Sequence, residues 1–201
     1  SKRYVEKLVE PFADRIRLGT PVGSVSRNSD SVSVNGEEFD HVVLACHSDQ
    51  ALSILDDPTP LENEILGAFP YQENDVVLHT DTSLLPRVRA AWASWNYHIG
   101  EDASEPVKLT YDMNVLQSLE APCTFCVSLN AADSIDPSQV LASFIYRHPV
   151  YTVDGVEAQQ RWAEISGVSR THYCGAYWGN GFHEDGVNSA LQVGKTFEVS
   201  L

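Results

Sequence analysis

The sequence predicts an α/β plus α+β protein, in which a mixed α+β insertion separates two pieces of an α/β domain. Three observations lead there. An antiparallel meander over residues 22–39 runs into "HVVLAC", an apolar run without alternation, as a parallel strand covered on both faces requires. The middle of the chain alternates short capped helices with strand-like runs and has no repeat or low-complexity linker. Near the end, "THYC" passes through a glycine-rich tract into an apolar-striped helix, so a strand–helix unit closes the chain.

Taken in order, Tyr4, Val5, Leu8, Val9 and Phe12 fall at helical spacing, and Pro11 with Asp14 marks the end of that helix. A short strand is expected at Ile16 to Leu18. The runs "VGSVS", "SVSVN" and "EEF" follow, separated by "RNSD" and by "NG", the second a strong hairpin signal. After Cys46, Ser48 is placed to cap a helix carrying Ala51, Leu52 and Leu55. In "TPLE", Thr59 is the cap, Pro60 sits in the first turn and Glu62 is the reciprocal partner. Strands are expected at "DVVLHT", "RAAWASWNY", "VKLTYD" and "TFCVSLN". Capping logic recurs in "IDPSQ" with Asp136, and in "VDGVE" with Asp154 opening a helix through Ala158, Trp162 and Ile165.

The totals narrow the function. Hydrophobic residues make up 43% of 201 positions, enough for a core and against disorder. The formal charge of −15 argues against a nucleic-acid or anionic-membrane partner, which needs basic patches. No apolar run reaches transmembrane length. Cys46, Cys123, Cys126 and Cys174 read as reduced thiols of a cytoplasmic protein, since "CTFC" has no second pair to complete a zinc site. The histidines show no metal-ligand spacing, so no metal is expected.

The informative stretch is "YCGAYWGNGFHEDGV". Glycines at 175, 179, 181 and 186 let backbone approach another group closely. Asp185 reads as the cap or first-turn anion of the last helix, leaving the N–H groups of Gly186 and Val187 free at its start. A capped helix packed on a sheet accounts for the same residues without any ligand.

Across nearly the whole chain the sequence resembles the C-terminal half of flavin-containing amine oxidase and phytoene desaturase type oxidoreductases. It is closest to the bacterial group labelled predicted NAD/FAD-binding dehydrogenase. The resemblance is carried by "RYVEKLVEPFADRIRLGTPVGSV", "FDHVVLACHSDQA" and "YCGAYWGNGFHEDGVNSAL", with "ILGAFPY", "AWASWNY" and "YRHPVYT" between. It implies a partial FAD-binding domain over residues 1–47 and 168–201, with a mixed-sheet substrate domain over 48–167 inserted in it. It also implies FAD as cofactor, with Val22 at the adenine, Gly175 and Ala176 along the ribityl and pyrophosphate, and Gly186 and Val187 at the pyrimidine end of the flavin ring. A helix start there would stabilise charge on the reduced ring by about 0.3–2 kcal/mol.

Two features depart from the pattern. Ala176 stands where many relatives carry an acidic or polar residue. No GxGxxG-type loop occurs in the chain, so the N-terminal dinucleotide-binding half is expected upstream. The implied activity is hydride transfer from a small-molecule, apolar and lipid-like substrate to flavin. A flavin-dependent isomerase or a non-catalytic binding module on the same fold are the alternatives. His183, close to the helix start, and the aromatic pair Tyr177 and Trp178 are the candidate catalytic residues. A structural histidine and plain packing aromatics are the competing readings. Alternation in "WASWNYH" puts Trp95 and Tyr97 on one face of a strand.

Overall fold

The structure, a computed structural model, describes residues 2–99 and 106–199. The chain divides into two compact units, Ser1–Phe69 with Tyr151–Leu201, and Pro70–Val150. The predicted combination is present: a parallel strand pair with flanking helices, and an inserted sheet.

In the first unit, α1 (Lys2–Val9) runs into a 3₁₀ segment at Glu10–Arg15, kinked at Phe12. Its apolar positions Tyr4, Leu8 and Phe12 are exposed. The strand expected at Ile16 to Leu18 does not form. No ladder partner lies beside it among the described residues, and Leu18 is 89% exposed. The meander is as expected, with β1 (Val25–Arg27), β2 (Val32–Val34) and β3 (Glu37–Phe39) in antiparallel order. Asn35 and Gly36 turn between β2 and β3 with φ of 50° and 86°, both positive as a type I′ hairpin demands.

From "HVVLAC", β4 (Val42–Leu44) pairs in parallel with β10 (Thr171–Tyr173). The expectation of cover on both faces fails for β4. Leu44 is buried but Val43 is 45% exposed, because side chains alternate across the strand and only one side is packed.

Helix α2 (Ser48–Ile54) starts one residue earlier than read: His47 is its cap residue, Gln50 Oε1 accepts the His47 N–H at 3.2 Å, and Ser48 is buried inside the first turn. In α3 (Pro60–Gly67) the expected box is complete. Thr59 Oγ1 accepts from Glu62 N at 3.1 Å and Glu62 Oε2 accepts from Thr59 N at 2.8 Å. Helix α5 (Val153–Gln159) is capped by Thr152 rather than by Asp154, and a separate 3₁₀ turn at Trp162–Glu164 follows it.

Glu62 also organises a buried node in this unit. Arg27 of β1 meets both its carboxylate oxygens, the Tyr173 hydroxyl of β10 donates to Oε1 at 2.6 Å, and Arg27 Nε reaches Asp57 at 3.0 Å. Burial works against the charge, but the hydrogen bonds from Arg27, Tyr173 and Thr59 outweigh it and hold the carboxyl at about 2. Meander, helix start and parallel strand are pinned at one point.

The second unit is a five-stranded sheet in the order β6-β7-β8-β5-β9, each neighbouring pair antiparallel. Its strands are β5 (Tyr71–His79), β6 (Trp95–His98), β7 (Lys108–Asp112), β8 (Cys126–Leu129) and β9 (Val140–Pro149). The long strand read from "RAAWASWNY" is only Trp95–His98. Its first part is a 3₁₀ turn at Arg89–Ala91, with Trp92 Nε1 donating to Pro86 O at 2.7 Å. Asp136 caps a single turn at Pro137–Gln139. Ten residues of β9 then follow along the edge of β5, where β-branched and aromatic side chains favour ladder over helix. After β7, α4 (Met113–Gln117) is capped by Asp112.

Candidate functional site

The site begins where β10 ends. Thr171, His172 and Tyr173 are all buried, and Cys174 N extends the ladder to Leu44 O at 3.1 Å. The chain then leaves the sheet at Gly175. A Cβ there would lie 2.5 Å from the Tyr177 ring, a contact real side chains do not make, so glycine is required by close approach. A 3₁₀ turn at Ala176–Trp178 follows, then helix α6 (His183–Thr196).

Ser189 of α6 joins the two parts. Its Oγ accepts the Gly175 N–H at 2.9 Å and donates to Gly186 O at 2.8 Å. A Cβ at Gly186 would come to 4.0 Å from both Cβ and N of Ala176. Gly175, Ala176 and Gly186 therefore meet at one place, with Val187 next to them and 45% exposed.

The helix starts earlier than the sequence suggests. Gly186 N is already spent on Phe182 O at 3.2 Å, so the expectation of free N–H groups at Gly186 and Val187 is corrected. The first-turn donors are those of residues 183–185. Asp185 is not the cap but the third residue of the helix, reaching back to accept the Phe182 N–H at 2.9 Å. Its carboxylate fills the space beside Gly179, where a Cβ would sit 2.4 Å from Oδ1.

The aromatic candidates are packing partners of this turn. Tyr177 is buried, with its ring 5.1 Å from Phe69 and 5.0 Å from Trp178. Trp178 Nε1 is buried with no hydrogen-bond partner among the described residues. His183 is exposed at the helix start. The thiols of Cys46 and Cys174 are pushed up by burial, away from nucleophilic reactivity. Among the described residues no group of three His, Cys, Asp or Glu is arranged to hold a metal.

Val22 is held elsewhere in the same unit. Asn35 Oδ1 accepts from Gly23 N at 2.9 Å and its Nδ2 donates to Pro21 O at 3.0 Å, tying residues 21–23 to the hairpin. Val22 lines an apolar cavity of about 490 Å³ with Val25, Val43, Ala45 and Cys46.

Sequence reasoning missed Ser189, Asn35 and Gln159, whose Nε2 holds the carbonyls of Tyr177 and Gly179 at 2.9 and 2.7 Å. The "NG" turn was legible, but not that its Asn side chain reaches back to the backbone of residues 21–24. Nothing in the sequence marks Gln159.

Among the described residues no helix is long and apolar enough to cross a membrane. The model of the flavin containing amine oxidoreductase family matches residues 2–106. No curated protein matches the chain. Among solved structures, putrescine oxidase bound to putrescine is similar at a TM-score of 0.62 and 14% identity, over 96% of this chain and 51% of that one. Cyclohexylamine oxidase from Brevibacterium oxydans gives 0.59 and 14%, over 96% and 52%. A fatty acid isomerase from P. acnes gives 0.59 and 13%, over 89% and 47%. At these identities the likeness is one of fold, and the chain spans about half the length of those proteins. With the family model covering more than half of its length, the chain belongs to the flavin containing amine oxidoreductase family.

Proposed function

We propose that this chain supplies the closing part of an FAD site and the substrate domain of an oxidoreductase that moves hydride from an apolar, lipid-like molecule to flavin. In this reading residues 1–47 and 168–201 belong to the FAD-binding domain and the substrate domain lies within 48–167. The dinucleotide-binding half is supplied by sequence outside the chain, in a cytoplasmic protein.

The observation that carries the reading is the meeting of Gly175, Ala176 and Gly186 through Ser189, beside the first turn of α6. Small side chains at that point, beside the first-turn N–H groups of residues 183–185, suit a flat, partly anionic ligand. Gly175 and Ala176 would lie along the ribityl and pyrophosphate, Gly186 and Val187 at the pyrimidine edge, and Val22 at the adenine. FAD bound there supplies a two-electron acceptor. The unpaired Trp178 Nε1 offers a further donor, Tyr177 shapes the turn, and exposed His183 is the group to accept a proton from an amine or alcohol.

The apolar substrate is supported by one face of the inserted sheet. Trp95 and Tyr97 are 53% and 60% exposed there, opposite Tyr111 and Leu109 across the ladder. Phe144 and Tyr146 of β9 are also open. The fold shared with a fatty acid isomerase supports flavin-dependent isomerisation as a second reading.

The test uses the protein extended by its upstream sequence. Purified protein should carry the visible absorbance of oxidised flavin. That band should bleach anaerobically with unsaturated acyl compounds or isoprenoids, or with amines if the substrate is polar. Double-bond migration without net bleaching would select the isomerase. A colourless preparation that stays colourless after incubation with FAD would leave only a binding module.

A further inference from the structure

The inserted sheet has a second face, and it is polar yet buried. Strand register aligns Thr110 of β7 with Ser128 of β8. Alternation places His98 of β6 and His79 of β5 on the same side, each one diagonal step away. His79, Ser128 and Thr110 are all 0% exposed, and His98 is half-buried.

These four side chains make a continuous chain of hydrogen bonds. His79 Nε2 lies 2.8 Å from Ser128 Oγ, Ser128 Oγ 2.8 Å from Thr110 Oγ1, and Thr110 Oγ1 3.1 Å from His98 Nε2. Among the described residues, the bonds of the two hydroxyls run only along this chain. Each hydroxyl donates once and accepts once, so the chain has a direction and can run either way. A central sheet position built only for packing would take valine or alanine and bury no donor.

We propose that His79, Ser128, Thr110 and His98 form a proton relay, through which the buried His79 imidazole exchanges a proton with solvent at His98. The balance is simple. Starting from a His98 imidazolium and neutral His79 with its proton on Nδ1, the Nε2–H bond of His98 breaks and Thr110 Oγ1 takes that proton. Thr110 passes its own to Ser128, and Ser128 passes its own to His79 Nε2. Three bonds to hydrogen break and three form. The net change is one proton from His98 to His79, replaced on His98 from bulk water, and the reverse flow returns it.

The surroundings favour passage over storage. Burial lowers the His79 pKa, with nearby Asp81 opposing it. Asp112 and Cys126 share the cross-strand row of His79, and Lys108 stands opposite His98. Nδ1 of His79 is buried beside the Asp81 backbone, whose hydrogen bond favours the charged ring, and the relay is the continuous hydrogen-bonded route off Nε2. The inference rests on this sheet alone and stands whether or not the flavin reading does.

The test is exchange of the His79 ring proton by NMR in the uniformly ¹⁵N-labelled chain, using the backbone amides of β5 and β8 as internal controls. Thr110→Val and His98→Phe should each slow exchange of the Nε2 proton that the relay delivers to His79, read on the acid side where the imidazolium is populated, by about tenfold or more relative to those amides. A His79 resonance that appears only in the variants counts as slowing. Thr110→Ser should restore the wild-type rate. A static network behaves oppositely: losing a bond loosens the sheet, and ring and amide protons exchange faster together. Unchanged or jointly accelerated exchange overturns the relay. Should Thr110→Val fail to fold, His98→Phe at the half-exposed end decides alone.

Discussion

Each compact unit buries a polar cluster, and the two clusters are built on opposite principles. In the first, Arg27 and Glu62 are fully charged, their side chains each 3% exposed, and every neighbour is turned to satisfy them. In the second, His79, Ser128 and Thr110 are held together by neutral donors that can reverse roles. Charge fixes geometry because the alternative, an unpaired buried ion, is so costly. Neutral hydroxyls leave the arrangement degenerate. The first cluster is suited to pin three elements permanently, the second to pass something along.

The sharpest break is Glu62→Ala. It leaves the Arg27 guanidinium buried without its main partner, and the expected loss is about 3–5 kcal/mol, read from urea unfolding. Acid should do the same reversibly. The folded carboxyl sits at about 2 against an ordinary 4.5, so its contribution is complete above pH 4.5 and fades as pH falls toward 2. In Glu62→Ala that acid limb should flatten. An unchanged limb would show that other carboxylates carry acid unfolding.

Ser128→Ala attacks the neutral cluster and should cost less, about 1–3 kcal/mol, since it leaves His79 Nε2 without its partner and the Thr110 hydroxyl with His98 alone, without creating a buried charge. A loss as large as that of Glu62→Ala would erase the distinction between the two clusters.

How far the sequence foretold these features follows from their range in the chain. The capping box at Thr59 and Glu62 and the "NG" hairpin are local, so residue types three apart or adjacent specify them. The strands in "HVVLAC" and "THYC" were legible from pattern, but not that they pair with each other. What stayed hidden depends on partners far away. Glu62 was legible as a capping residue, but its bonds to Arg27 and Tyr173 span 35 and 111 positions. The hydroxyl chain depends on strand register across three ladders. Helices α2 and α3 were grouped with the insertion, whereas the compact unit begins at Pro70. At the candidate site the glycines announced a close approach, but the start of α6 was misplaced by two residues. A polar HED run there reads as a cap, when Phe182 holds the cap position and the Asp185 carboxylate accepts its N–H.

The smallest expected effect tests whether burial, rather than the arginine–glutamate chemistry, sets the strength of the Arg27 node. Arg161 pairs with Glu164 at 3.0 Å and also with Glu64, the same side-chain types as at Arg27 and Glu62, but with 34% of the arginine and about half of each carboxylate group's residue open to water (47% and 62%). Water screens such a pair, and holding three long side chains in one arrangement costs entropy that offsets the attraction. Arg161→Ala should therefore leave the urea midpoint within the scatter of repeated wild-type measurements. Adding salt should shift wild type and variant alike, because a screened pair has little left to lose. If Arg161→Ala approached Glu62→Ala in its effect, desolvation could not be what separates the two pairs, and the strength of the node would have to come from its geometry.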